Sequence, residues 1–132
     1  MITELVNTLR SDSALASLLA DAPWGGPAVY LEWAPDKPRP YVTVGLNETR
    51  DGAHMGEGDV LLDVWGDGAS YVDIEPIRDR LTALLDHAII DTPRGPIRFF
   101  WRGDAPEQED DPSIVRWSLT IEFRRSRTDF VS

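Results

Sequence analysis

The stretch SIVRWSLTIEFRR, residues 113–125, alternates without a break. Val115, Trp117, Leu119, Ile121 and Phe123 take one parity, and Arg116, Ser118, Thr120, Glu122 and Arg124 the other. Successive side chains of an extended chain point to opposite faces, so the pattern demands a strand with one dry and one wet side. A helix would scatter the same residues around its circumference. A strand of about 12 residues spans roughly 40 Å, about twice the usual length. Part of the hairpin that contains it is therefore expected to overhang the domain.

The partner strand is IRFFWRG, residues 97–103, joined through the loop DAPEQEDDP, residues 104–112. Upstream, AVYLEW, YVTVGLN and DVLLDVWG predict three more strands, the second with Val42, Val44 and Leu46 on one side. A polar, glycine-rich loop, ETRDGAHMGEG, separates the second from the third. The N-terminal stretch places Leu5, Val6 and Leu9 on one helical face, with Thr3 as a cap. A second cap at Ser11, Asp12 or Ser13 predicts two short helices or one bent near Asp12. A later helix carries Ile74, Ile77, Leu81, Leu84 and Leu85 on its apolar face, with Asp73 as the cap and Pro76 in the first turn.

The order is helix, three strands, helix, two strands. It predicts an α+β fold, with a mostly antiparallel sheet of about five strands, helices packed on one face and a long C-terminal hairpin. Neither a repeat nor an interdomain linker interrupts residues 1–132, so a single domain is expected. A chain of 132 residues buries about two-thirds of its unfolded surface, enough for a core without staples.

Function classes fall away in turn. Cysteine is absent, which removes disulfides, thiolate metal sites and cysteine nucleophiles. No apolar run reaches the roughly 20 residues that cross a bilayer. The N-terminus carries Glu4 and a polar break at residues 10–13, unlike a secretory signal, so the expected location is inside a cell. The turn Gly66–Asp67–Gly68 resembles the start of a phosphate loop, but Tyr71 stands where the third glycine belongs, and Asp67, Asp73 and Glu75 would repel a phosphate. His54 and His87 lack partners at metal-ligand spacing, and EQEDD lacks the order of a calcium loop. No Gly-x-Ser-x-Gly marks a nucleophile. The expectation is a non-enzyme without cofactor or metal.

The formal net charge is −10, which disfavours gripping a nucleic-acid backbone. Five tryptophans offer stacking surfaces, but core or subunit-interface packing suits an acidic protein better. Residues 1–93 hold 16 acids and 6 bases, and residues 94–132 hold 7 of each. In that balanced part the charges are segregated. Arg98, Arg102, Arg116, Arg124 and Arg125 line the hairpin stem, and Asp104, Glu107, Glu109, Asp110 and Asp111 gather at its tip. An acidic tip on one copy and a basic surface on the next would make a head-to-tail contact, which closes into a ring when the rotation allows. Phe130, beyond the last strand, is a further candidate for partner contact. The loop 48–59 is expected to share in these contacts.

Several segments together resemble the tail-terminator family of long-tailed bacteriophages, also called tail completion or tail-to-head joining proteins. They are LVNTLRSDSALASLL, PRPYVTVGL, LLDVWGDGASYVDIEPIRDRLTALLD and the long two-stranded finish, spanning nearly the whole chain. The specific marks are Pro-Tyr-Val at 40–42 and the aspartate–tryptophan strand running into Ser-Tyr at 70–71. The resemblance implies helices on one sheet face and a ring, usually of six copies, on the finished end of the tail tube. Its partners would be itself, the tail tube protein and the head-side connector, with DNA only passing through the lumen. It implies a virion location at the neck end of the tail, after assembly in the host cytoplasm. The competing readings are another neck component, an acidic inhibitor that mimics DNA, and a small enzyme.

Overall fold

The computed structural model describes residues 1–32, 37–47, 57–68 and 71–125. Among these residues three helices, α1 (Ile2–Arg10), α2 (Ser13–Leu18) and α3 (Glu75–Leu85), accompany six strands. These are β1 (Val29–Leu31), β2 (Tyr41–Asn47), β3 (Glu57–Asp67), β4 (Ile89–Thr92), β5 (Gly95–Glu107) and β6 (Ile114–Arg125). One sheet runs β1-β2-β3-β6-β5-β4. Among the described strands only the β1–β2 pair is parallel. The architecture is the α+β fold with a mostly antiparallel sheet that the sequence predicts.

The alternation in β6 becomes its two faces. Val115, Leu119, Ile121 and Phe123 are buried with Val60, Leu62 and Val64 of β3 and with Ile97 and Phe99 of β5. Helices close that side: Leu5, Val6 and Leu9 of α1, Leu15 of α2, and Ile77, Leu81 and Leu85 of α3 join the same core. Each fully buried side chain of this size contributes roughly 1.5–3 kcal/mol.

Helix ends differ in part from the sequence pattern. Asp12 caps α2, accepting from the Leu15 N–H at 2.9 Å. Thr3 does not cap α1, because the helix already runs from Ile2 and the Met1 carbonyl accepts the Leu5 N–H. Asp73 does not cap α3 either. Burial of Ile74 fixes this helix start, and the Tyr71 carbonyl takes the N–H groups of Ile74 and Glu75.

The glycine turn has a packing role. A Cβ on Gly66 would overlap the Ile74 side chain, so only glycine lets α3 seat its first core residue against β3. Gly68, at φ +100°, donates its N–H to the Ser113 carbonyl and ties the turn to the hairpin.

Two expectations need correction. A sixth strand exists: β4 pairs with β5 across a tight turn at 93–94, where the sequence shows only a Thr-Pro-Arg-Gly break. The Thr92 hydroxyl organises that turn, donating to the Gly95 carbonyl and accepting from the Arg94 N–H. The hairpin does not overhang. β3 is almost as long as β6 and pairs with it from Glu57↔Arg124 to Asp67↔Ile114. The Tyr71 hydroxyl also donates to the Glu107 carbonyl, beside the hairpin tip.

Candidate assembly surface

Because the helices of the described residues lie on one face, none of them covers the outer face of β3, β6 and β5. By register it carries Asp63 and Trp65 of β3, Arg116, Ser118, Glu122 and Arg124 of β6, and Arg98, Phe100 and Glu107 of β5. The hairpin gives this face its electrical order.

At the tip, Glu109 forms an ion pair with Arg116. Asp111 accepts from both the N–H and the hydroxyl of Ser113, at 2.9 and 2.7 Å, and these bonds hold its carboxyl below the ordinary range. Asp110 is exposed. Glu107 lies opposite Arg116. In mid-stem, Glu122 pairs with Arg102 and with Arg124. Asp63 accepts from the Ser118 hydroxyl and stands 3.6 Å from Arg116.

At the base, Arg98 and Arg124 are cross-strand partners on the outer face. Arg125 donates to the Arg94 carbonyl at 3.1 Å. Together with Ile89, Pro96 and Phe100, these three arginines line an open groove of about 360 Å³. Most charged hairpin residues expected from sequence thus lie along one β-ladder, with Glu107, Glu109, Asp110 and Asp111 gathered with Arg116 toward the tip, and Arg98, Arg124 and Arg125 gathered at the base next to Glu122. Phe130 and residues 48–56, His54 among them, lie outside the described residues.

Asp104 is misplaced by the sequence reading. It sits in the stem, not at the tip, and turns toward α3, with a side chain 5% exposed. Arg78 grips it with two bonds, Nε to Oδ1 at 3.1 Å and Nη2 to Oδ2 at 3.0 Å. The indole N–H groups of Trp117 and Trp101 each donate to it at 2.8 Å. Burial alone would raise this carboxyl, but the bonds from Arg78, Trp117 and Trp101 outweigh it and hold the group below the ordinary value of 3.8. Asp12 is held low in the same way, chiefly by Arg80 of α3 and also by its capping bond to Leu15. Both acids pin α3 in place.

A row of rings crosses the outer face toward the other sheet edge. Trp24, Tyr30, Tyr41 and Trp65 follow one another at centroid spacings of 5.4, 5.8 and 6.0 Å. Arg10 covers Trp24 at 3.9 Å and Arg116 lies over Trp65 at 5.2 Å. Trp65 donates its indole N–H to buried Thr43 at 3.0 Å. Tyr30, Tyr41 and Trp65 also pack on small residues, Ala22 and Ala28. Their partnership was not visible in sequence, because the β1–β2 and β2–β3 pairings bring Tyr30, Tyr41 and Trp65 together.

Among the described residues no group of three His, Asp or Glu side chains is arranged to hold a metal ion. No helix among them is long and apolar enough to cross a membrane.

No protein-family model matches the chain, and no curated protein matches it in sequence. Its fold does have solved counterparts. One is a chain from the virion of a native gene transfer agent (GTA) particle, with a TM-score of 0.72 and 20% identity. The match covers 93% of this chain and 92% of that one. At that identity the likeness establishes a shared fold.

Proposed function

We propose that this chain is a structural component of a phage-like virion, and within it a tail terminator. The observation that carries this reading is the nearly end-to-end fold likeness to a chain of a GTA virion. The sequence resemblance to tail terminators agrees with it and supplies the finer role. In this reading, copies of the chain form a ring, six in number, on the last disc of the tail tube. The ring matches the tube below, presents no tube template above, and so ends polymerisation. Its upper face receives the head-side connector.

The mechanism is steric and needs no chemistry. Weak contacts between copies gain strength from ring closure and from the tube platform, which raises the effective concentration of each neighbour. The excess of acids suits a lumen through which DNA passes, since such a wall does not hold phosphates. Assembly takes place in the host cytoplasm, and the finished ring sits at the neck end of the tail.

The test is tube assembly. Tail-tube protein from the same genome, polymerised with and without this chain, is imaged in negative stain. Shorter tubes with added density at one end are expected. Unchanged tube lengths with no end density would remove the terminator role. Binding to an isolated connector but not to tubes would assign the chain to another part of the neck.

A further inference from the structure

The groove at the base of the hairpin combines features that a surface strand pair does not need for stability. Arg98 and Arg124 stand directly opposite each other, and like charges in that position destabilise a sheet. Arg124 has Glu122 as a partner, but Arg98 has no ion-pair partner among the described residues. Arg125 donates to a backbone carbonyl and forms no ion pair among the described residues. Among the described residues the groove lining holds three arginines and no carboxylate, in a chain of net charge −10. Glu57, opposite Arg124, and Asp91 stand on its margin. Ile89, 55% exposed, and Phe100 provide an apolar floor.

We infer that this groove is the receptor for the hairpin tip, residues 107–111, of a neighbouring copy. The inference rests on the ring-forming reading above and names its contact. Three observations support it. The charges are complementary: Glu107, Asp110 and Asp111 offer carboxylates where the groove offers guanidinium groups. The two patches cannot meet within one molecule, because they occupy opposite ends of one ladder, about 30 Å apart at roughly 3.3 Å per residue. The tip is also held ready by the Asp111–Ser113 bonds, the Glu109–Arg116 pair and the Tyr71–Glu107 bond, so docking requires little further ordering. A donor and a receptor at opposite ends of one body produce a heterologous contact, the kind that builds rings or filaments.

The absence of cysteine makes the test direct. Ile89→Cys places a thiol in the groove and Gln108→Cys places one at the tip, both at exposed positions. A disulfide needs Cα atoms within about 7 Å, so the two thiols can join only between copies. Mild oxidation of the double variant is expected to give a ladder on a non-reducing gel, ending at a closed species. Neither single variant should pass the dimer. Adding Arg98→Glu should slow the ladder about tenfold, and further adding Asp110→Lys should recover part of that loss.

A double variant that yields no ladder, or only a dimer, would overturn the inference. So would a ladder indifferent to both charge reversals. Loss of the ladder on removing residues 126–132, with the tip intact, would give the groove a different occupant and overturn it too. If the unmodified protein still forms rings on tubes, the terminator reading survives any of these failures.

Discussion

Arg78 of α3 meets Asp104 of β5 in a two-pronged contact, at 3.1 and 3.0 Å, where the last helix lies against the hairpin. The carboxylate is almost fully buried and accepts four bonds in all, two from Arg78 and one from each of two indoles. Such a group contributes when complete and costs heavily when one part is removed. Asp104→Asn would turn an amide N–H₂ toward donors that expect an acceptor. The expected loss is about 2–4 kcal/mol, measured by urea unfolding. A midpoint within error of the parent would show that this cluster does not hold the helix.

The low carboxyl values of Asp104 and Asp12 set an acid dependence. Their folded forms bind a proton less readily than the unfolded chain does. Their contribution is therefore complete above the ordinary range near 3.8 and is lost as pH falls through the folded values. Stability should fall steeply below about pH 4. The Asp12→Asn, Asp104→Asn double variant, less stable at neutral pH, should show a shallower acid slope. Parallel slopes for the two proteins would place the acid sensitivity elsewhere.

Gly66→Ala tests the seat of α3. The added methyl meets Ile74, a core residue with no room to move. Overpacking of this kind costs about 1–3 kcal/mol. Ile74→Ala alone also destabilises, by leaving a cavity. In combination the two should lose less than their sum, because the new methyl occupies vacated space. Strict additivity in the thermodynamic cycle would mean that the overlap is relieved by some other movement.

Hydrogen exchange should rank the strands by position in the sheet. β3 and β6 are paired on both edges and carry much of the core, whereas β4 and β1 are the edges. The slowest amides are expected in β3 and β6, with those of β4 exchanging at least about tenfold faster. Equal protection in β4 would contradict its place as an edge strand.

Much of this fold was legible because periodicity survives translation into three dimensions. Residues 113–125 alternate in sequence and do so in the sheet, and the stripe from Ile74 to Leu85 lands on the core. What misled was a change of parity. A bulge between Trp101 and Gly103 shifts the register, so Asp104 pairs with Leu119 and turns to the helix side. Counted by alternation from the visible strand 97–103, and given its acidic neighbours, it belongs to a solvated loop. The bulge leaves no mark beyond a single glycine, so the Arg78–Asp104 cluster could not be read in advance. β4 was hidden for a related reason: four residues beside Thr-Pro-Arg-Gly are too few to show a period. The segregated hairpin charges were legible, but which of them neutralise each other within the chain was not. Those choices depend on which residues the ladder sets side by side.

The continuous pairing of β6 with β3 and β5 also fixes how the hairpin bears load. Its backbone bonds lie across the strand direction. A pull between the tip and the base therefore runs along the covalent backbones of β5 and β6, and the crosswise bonds to their neighbours keep those strands from bending. A protruding arm would have bent at its root. This one behaves as a beam built into a plate, and force delivered at one end passes to the other without a hinge.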